Sequence, residues 1–382
     1  MDFELSDEQR LLKDSVERLL ADNYDFEARG QHAVGADGWS RDIWARLAEL
    51  GLLGLPFSEQ DGGFGGGAVE TMIVMEAFGR ALVLEPYLAT VVLAGGLLRH
   101  AGNDDQRAAL LPRIAAGALR MAFAHSERQA RYELSDVATR ARREGETWVL
   151  DGEKSLVLHG DTADKLIVSA RVSGERRDQS GIALFIVDAN AHGVSRRGYP
   201  TQDGMRAAEV SFTNVQVSAD STLSEPGFAY PIIGCVIDET IAALCAEAVG
   251  AMGEMHTITV DYLKTRKQFG APIGNFQVLQ HRAADMFVAL EQARSMALFA
   301  TMMVEDDDAT ARHTAIAAAK TQIGRSARLI GQTAVQLHGG VGMTMEYKVG
   351  HYFKRLTMID IMFGDADYHL ARVAQAGGLV AA

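Results

Sequence analysis

The chain has 382 residues, 48% of them hydrophobic, and a formal net charge of −13. This length and apolar content suit two or three domains with large buried cores. The acidic balance argues against nucleic acid or an anionic membrane surface as the main partner. The only two cysteines lack metal-type spacing, which indicates buried thiols in a reducing compartment and no metal site. We find neither an export signal nor a membrane-spanning run, and we expect a cytoplasmic protein.

The first part of the chain has helical periodicity. Ser6 followed three residues later by Gln9 is typical of a helix start, and leucines follow at helical spacing. The glycine-rich segment 61–67 lacks both the lysine that follows and the strand that precedes a phosphate-binding loop. We therefore interpret that segment as a turn inside an N-terminal helical domain.

The hydrophobic period changes to two near residue 121 and becomes helical again near residue 226. Within the middle segment, Asp151-Gly152 is typical of a two-residue hairpin turn. In the last segment, apolar residues recur at alternating steps of four and three, which indicates a bundle. The sequence therefore predicts an α+β multidomain fold: a helical domain over 1–120, a β-barrel-like domain over 121–225 and a four-helix bundle over 226–382.

Three sets of residues carry a resemblance to a known family. They are Gln336 with Gly339 and Gly340, the segment 266–270 with the sequence Arg-Lys-Gln-Phe-Gly, and an N-terminal set that includes Gly62-Gly63-x-Gly65 and Gly79-Arg80-Ala81. Together they resemble the acyl-CoA dehydrogenase family over essentially the whole chain. The resemblance implies an FAD-dependent oxidoreductase that dehydrogenates acyl-CoA thioesters, in fatty acid or sterol degradation.

In this family FAD lies across a dimer interface, with its flavin ring on one chain and its diphosphate and adenosine held by the other. The residues that would hold a partner's FAD are present here: Arg266, Gln268, Phe269, Phe276, Gln277, Gln336, Gly339 and Gly340. An arginine suits this role because its planar guanidinium can donate two charge-assisted hydrogen bonds to diphosphate oxygens. The resemblance thus implies that this chain can complete the FAD site of a neighbour.

The chain's own flavin pocket departs from the family pattern. Residues 126–128 are Ser-Glu-Arg where the family has Thr-Glu-Pro, and residues 156–158 are Leu-Val-Leu where it has Trp-Ile-Thr. Leu156 offers no aromatic face and Leu158 no hydroxyl. A flavin ring placed there would lose a polar partner worth roughly 1 kcal/mol or more. We therefore expect an eroded flavin pocket.

The catalytic base is missing from both positions at which the family carries it. Removal of an α-proton requires a base, and a carboxylate is ionised at neutral pH and can be tuned by burial. The resemblance assigns the base to position 363 or position 240, which are Phe363 and Thr240 here. Glu239 is a weak alternative because one helical residue turns a side chain by about 100°. Asp365 and Asp367 are weaker alternatives still.

The departures from the family pattern are in the chain's own flavin pocket and at its base positions. The residues that would hold a partner's FAD match the pattern. We therefore interpret the chain as the small, non-catalytic subunit of a heteromeric acyl-CoA dehydrogenase, resembling the pimeloyl-CoA or steroid-side-chain members. Its expected partner is a base-bearing homologue in a heterotetramer, with an electron-transfer flavoprotein as a further partner. Asp238 matches a family acid near the pantetheine of acyl-CoA.

Two alternative hypotheses remain open. One is a self-sufficient homomeric dehydrogenase with a displaced base. The other is a base-free family member that acts on an acyl-CoA in a different reaction, such as an elimination.

Overall fold

The structure is a computed structural model that describes residues 4–377. These residues form two compact units, each assembled from separate segments of the chain. The helical unit combines the residues up to Gln31 with Ala68–Val83 and with the residues from Ile241 onward. The sheet unit combines His32–Gly67 with Leu84–Thr240.

The α-helices are numbered in chain order. They are α1 (Asp7–Asn23), α2 (Phe26–Val34), α3 (Arg41–Glu49), α4 (Ala68–Ala81), α5 (Gly95–Ala101), α6 (Asp104–Ala115), α7 (Tyr230–Thr265), α8 (Gln277–Met303), α9 (Ala309–His338), α10 (Lys348–Ile361) and α11 (Ala366–Gln375). A π-helical segment, Leu88–Ala94, leads directly into α5. Helices α2 and α7 each contribute residues to both units.

The strands are numbered in the same way. They are β1 (Met121–Ala124), β2 (Arg140–Glu144), β3 (Thr147–Leu158), β4 (Lys165–Arg171), β5 (Ile182–Asp188), β6 (Val194–Pro200), β7 (Arg206–Ser218), β8 (Thr222–Gly227), β9 (Lys267–Gln268) and β10 (Ala271–Pro272). The predicted order of helices, strands and helices is confirmed.

Helix α1 begins where the sequence predicts. The Gln9 backbone N–H donates to Ser6 Oγ at 3.2 Å, and the Ser6 N–H donates to Gln9 Oε1 at 3.0 Å. This reciprocal capping box satisfies two donors that a helix start leaves without intrahelical partners.

Two glycines explain how α4 and α7 pack in the helical unit. A Cβ added to Gly79 would lie 1.9 Å from the carbonyl oxygen of Glu247, and one added to Gly250 would lie 1.9 Å from that of Glu76. The two backbones therefore approach too closely for any side chain at these positions. The family marker Gly79-Arg80-Ala81 thus has a packing reason.

The sheet unit contains an eight-stranded sheet with the order β6-β7-β3-β2-β4-β5-β8, and β1 pairs with β4 in parallel. Its core is a cluster of buried side chains that includes Leu150, Val168, Phe185 and Val215. Among the described residues no ladder joins β6 to β8, so the sheet is open and does not close into the predicted barrel.

The predicted hairpin turn at Asp151-Gly152 is wrong. Strand β3 runs straight through these residues, and the chain turns instead at Gly145, between Glu144 and Thr147. Gly152 lies at an irregularity in the pairing of β3 with β7, where an added Cβ would be 2.7 Å from the Cα of Thr139. The glycine therefore permits a close backbone approach and does not form a turn.

Candidate cofactor and catalytic site

An exposed hairpin follows α7 in the helical unit and carries Arg266 to Gly270. Strands β9 and β10 pair Gln268 with Ala271, and the two turn residues Phe269 and Gly270 have φ of +55° and +80°. Two positive φ values in a two-residue loop are typical of a type I′ turn, which Gly adopts easily and Phe does not. The backbone at Phe269 is therefore held in a conformation that its own side chain disfavours.

The side chains of this hairpin lie on a surface that no other part of residues 4–377 covers. Phe269 is 92% exposed and Phe276 39% exposed, and their rings meet edge to face with centroids 6.0 Å apart. Arg266, Gln268 and Gln277 are also exposed. An exposed aromatic pair flanked by a cation and amides is suited to bind a group supplied from outside.

The end of α9 supplies the second half of the same set. Gly339 ends the helix with φ +60° and ψ −140°, a conformation that side chains rarely adopt. A Cβ built on Gly339 or Gly340 would meet no atom of the described residues within 4 Å, and Gln336 is exposed one turn earlier. The predicted helix end at Gly339-Gly340 is therefore confirmed, and open space surrounds its backbone.

A ring contact brings these two segments together. Tyr262, one turn before Arg266, lies with its ring centroid 4.4 Å from that of His338, and its hydroxyl donates to the His338 carbonyl oxygen at 3.4 Å. His338 itself is buried, and burial lowers the pKa of its imidazole below the usual value. Because α7 and α9 end side by side, the cation, the amides and the glycine cradle fit a phosphate-bearing group such as the diphosphate of FAD.

The loop after α10 places Phe363 where the resemblance implies a base. Phe363 has φ +56° and Gly364 φ +110°. A phenylalanine cannot accept a proton, so this position has no catalytic acid–base role.

A buried lysine holds that loop in shape. Lys320 on α9 is 0% exposed, and its Nζ lies 2.6–3.0 Å from the carbonyl oxygens of Ile359, Asp360, Met362 and Gly364. Burial lowers the pKa of Lys320 to about 8, whereas the four carbonyl acceptors favour its charged form. From α11, His369 Nε2 lies 3.0 Å from the Phe363 carbonyl oxygen. The loop is therefore fixed through its backbone, independently of the side chain at position 363.

Thr240 and Glu239 are both engaged in the sheet unit. Thr240 is 0% exposed, and its hydroxyl donates to the Val236 carbonyl oxygen at 2.7 Å. The Glu239 carboxylate lies 2.6 Å from Arg99 Nη2 and 2.7 Å from His100 Nε2. Burial acts to raise the pKa of Glu239, but the hydrogen bond from His100 and the charge of Arg99 outweigh it and lower that pKa. A carboxylate held in this way is a weak base.

The remaining acidic candidates have other positions. Asp365 is the N-cap of α11, where its Oδ1 accepts from the Tyr368 backbone N–H at 2.9 Å. Asp367 is exposed in the first turn of the same helix, and Asp238 is buried on α7. Neither Asp365 nor Asp367 therefore has the environment that would tune it as a buried general base.

Leu156 occupies a bulge in the sheet unit. Between the pairs Lys154–Val210 and Val157–Ala208, β3 contains one more residue than β7. Leu156 lies in this bulge with φ +51° and is 40% exposed. An exposed leucine presents no polar group to a flavin ring.

A buried ion pair beside the bulge was not foreseen from the sequence. Lys154 Nζ lies 2.7 Å from Glu127 Oε1 and 3.0 Å from Ser169 Oγ, and both charged side chains are almost fully buried. Burial acts to raise the pKa of Glu127, but Lys154 outweighs it and holds that pKa well below the usual value. The spacing of the partners along the chain carries no signal that would have revealed the pair.

Family models and known proteins match nearly the whole chain. Family models of the acyl-CoA dehydrogenase N-terminal, middle and C-terminal domains match residues 6–118, 122–215 and 232–378. Acyl-CoA dehydrogenase FadE12 of Mycobacterium tuberculosis is 32% identical over 354 residues, which is 90% of this chain and 89% of that protein.

Two solved structures are also similar. A variant of the Tcur3481-Tcur3483 steroid ACAD is 27% identical, with a TM-score of 0.87 over 97% of each chain. The FAD complex of PigA is 25% identical, with a TM-score of 0.91 over 99% of this chain and 100% of that one. Among residues 4–377 we find no helix both long and apolar enough to span a membrane.

Proposed function

This chain belongs to the acyl-CoA dehydrogenase family, and from that premise we propose that it is a small, non-catalytic subunit that completes the FAD site of a base-bearing homologous partner. The substrate class of the assembly is an acyl-CoA thioester, which is dehydrogenated between its α- and β-carbons. FAD, when bound, supplies the hydride acceptor for the β-carbon. The base that removes the α-proton comes from the partner.

One observation carries the proposal. The eight residues suited to hold a partner's FAD are all exposed: Arg266, Gln268, Phe269, Phe276, Gln277, Gln336, Gly339 and Gly340. A strained, exposed phenylalanine at a hairpin tip gains stability only when another molecule covers it. The contribution of this chain is therefore to bind and orient, with Arg266 neutralising diphosphate charge.

The local environments of the base positions support the non-catalytic role. Phe363 has no titratable group, and the Thr240 hydroxyl already donates within its helix. The displaced-base alternative depends on Glu239, whose carboxylate is paired with Arg99 and His100. Proton abstraction by Glu239 would have to break these contacts.

The proposal extends to the organisation of the assembly. One of the similar solved structures carries a paired name, Tcur3481-Tcur3483, which supports a search for a second chain. A homodimer is not expected, because its two-fold axis would pair two eroded pockets. Each heterodimer would contain one complete FAD site and one degenerate site. The expected heterotetramer therefore holds about half the FAD of a homotetramer. Asp238 is the proposed contact to the thioester. The proposed electron acceptor is an electron-transfer flavoprotein. The proposed domain bounds are 1–120, 121–225 and 226–382.

Flavin content tests the proposal. The chain is purified alone and together with a homologue that carries the glutamate base. We expect little flavin in the chain alone, and flavin with acyl-CoA-dependent bleaching in the complex. About one FAD per chain in the protein purified alone would contradict the proposal.

A variant pair tests the role of Arg266 within the complex. Arg266→Ala should weaken FAD retention about 10- to 100-fold, corresponding to roughly 1.5–3 kcal/mol for a hydrogen bond to a charged group. Lys264→Ala is the matched control, because it removes an exposed cation two residues away, at the end of α7. Equal flavin loss in both variants would show that Arg266 has no specific role.

A further inference from the structure

Three side chains that can bind a metal ion meet in the sheet unit. They are His100 on α5, and Cys235 and Glu239 on α7. Their imidazole nitrogen, thiol sulfur and carboxylate oxygen all lie within 4.8 Å of one another, and no other such group of three is found among residues 4–377. Because Cys235 and Glu239 are four residues apart on a helix, their side chains project from the same face.

The distances are close to those of a zinc site. Zinc binds sulfur at about 2.3 Å, and imidazole nitrogen and carboxylate oxygen at about 2.0–2.2 Å, so tetrahedral ligand atoms lie about 3.3–3.7 Å apart. His100 Nε2 and Glu239 Oε1 are 2.7 Å apart in a hydrogen bond. A metal ion bound by both atoms would replace the proton that they share. The distance between the two atoms would then increase by no more than about 1 Å. The thiol sulfur lies within 4.8 Å of both atoms, so an approach of at most about 1 Å would bring it to the same separation.

Arg99 is not a ligand but binds the Glu239 carboxylate from its other side. Its Nη2 lies 2.6 Å from Glu239 Oε2, so it binds the carboxylate oxygen that does not face His100. Hydrogen bonds to the far oxygen of a ligating carboxylate are a regular feature of metal sites, where they orient the ligand. A thiolate and a carboxylate contribute two negative charges, which neutralise a divalent cation. The Arg99 guanidinium binds the Glu239 oxygen that does not ligate the ion, so one carboxylate group separates the two positive charges.

We propose that His100, Cys235 and Glu239 form a three-ligand site for a divalent transition metal of the zinc class. The mixture of nitrogen, sulfur and oxygen ligands favours zinc over the hard ions magnesium and calcium, which take oxygen ligands. The side chains of His100 and Glu239 are 32% and 18% exposed, so water has access to the fourth position. The ion would link α5 to α7. This proposal does not depend on the FAD assembly.

The sequence predicts no metal site because its two cysteines lack metal-type spacing. Here a single cysteine contributes, and the histidine is 139 residues from the glutamate in the chain. Only the packing of α5 against α7 brings the three ligand atoms together.

Metal binding to the purified full chain tests the site. The chain is first stripped with a chelator under a non-thiol reductant. Zn²⁺ and Co²⁺ are then titrated by calorimetry and absorbance, with Mg²⁺ for comparison. We expect about one Zn²⁺ or Co²⁺ per chain, a near-ultraviolet thiolate-to-cobalt band, a raised melting temperature with Zn²⁺ and no response to Mg²⁺.

The variants are His100→Ala, Cys235→Ser and Glu239→Gln, and each should weaken metal binding at least about tenfold, since even outer-shell changes cost 10- to 100-fold. Cys235→Ser should also abolish the cobalt band. Cys245→Ala removes a thiol that is 0% exposed, and His192→Ala removes an exposed imidazole, so both serve as controls. Neither control should change the affinity or the band.

Three outcomes would overturn the proposal. The first is binding well below one ion per chain, and the second is a cobalt complex without the thiolate band. The third outcome is that the three ligand variants lower the melting temperature by the same amount with and without Zn²⁺. That result would show that the cluster is only a hydrogen-bonding network. Circular dichroism without metal verifies that each variant is folded.

Discussion

The Nζ of Lys320 lies 2.9 Å from the carbonyl oxygen of Gly364, the residue that follows Phe363. A buried ammonium thus holds the backbone of the loop that contains Phe363, one of the two positions at which the resemblance implies a base. The shape of this loop is therefore maintained by a side chain that lies outside the loop, on α9.

Replacement of this lysine should destabilise the chain. Lys320→Met keeps an unbranched side chain, one heavy atom shorter, but leaves four buried carbonyl oxygens without their donor. We expect a loss of about 2–4 kcal/mol in the free energy of unfolding, measured by urea denaturation. Lys264→Met, at a position whose side chain is 70% exposed, is the control and should change stability little. A loss below about 1 kcal/mol in Lys320→Met would contradict the clamp.

Stability should fall with acid because His369 is buried and neutral. Burial and the charge of Lys320 lower the pKa of His369 from 6.5 to about 3. Below pH 6.5 the unfolded chain therefore binds a proton that the folded chain does not, so the stabilisation present above pH 6.5 is lost as pH falls towards 3. We expect His369 to contribute about 1–2 kcal/mol of loss between about pH 7 and pH 5. Urea denaturation at several pH values should show a flatter dependence in His369→Gln, and an unchanged dependence would contradict this assignment.

The buried pair of Arg355 and Glu247 gives a third prediction. Arg355 Nε and Nη2 donate to the two Glu247 oxygens at 2.6 Å and 2.7 Å, and both side chains are buried. Arg355→Met leaves a buried carboxylate without this guanidinium and should cost about 3–5 kcal/mol. The double variant Arg355→Met/Glu247→Leu should recover most of that loss, because it also removes the charge. Additive losses in the double variant, measured by urea denaturation, would contradict this account.

The hairpin tip should show a conflict between stability and function. Phe269→Gly relieves a left-handed backbone conformation but increases the freedom of the unfolded chain. We therefore expect the stability of the isolated chain to stay the same or rise by up to about 1 kcal/mol. FAD retention by the complex with the partner should nevertheless fall, because the exposed ring is lost. If Phe269→Gly leaves flavin content unchanged, the ring does not take part in the cofactor site.

The sequence predicted the elements whose information is local. The change of period near residues 121 and 226 gave the order of helices and strands, and the glycines at 339 and 340 gave the end of α9. The turn predicted at Asp151-Gly152 is wrong because turn propensity depends only on neighbouring residues. A glycine is required at position 152 because Thr139, from another segment, approaches its backbone closely. The burial of Lys154 and Lys320 could not be predicted, since their acceptors are contributed by distant segments and, for Lys320, by backbone carbonyls that any sequence has.

The open sheet has a consequence for solubility. Its outermost strands β6 and β8 each have one pairing neighbour, and an unpaired edge is a template for a strand from another chain. Pro200 in β6 and Pro226 in β8 each lack a backbone N–H, and the exposed side chains of Arg197 and Glu225 add charge to the same edges. Extension of the sheet from chain to chain is therefore disfavoured, and the chain is protected against aggregation along these edges.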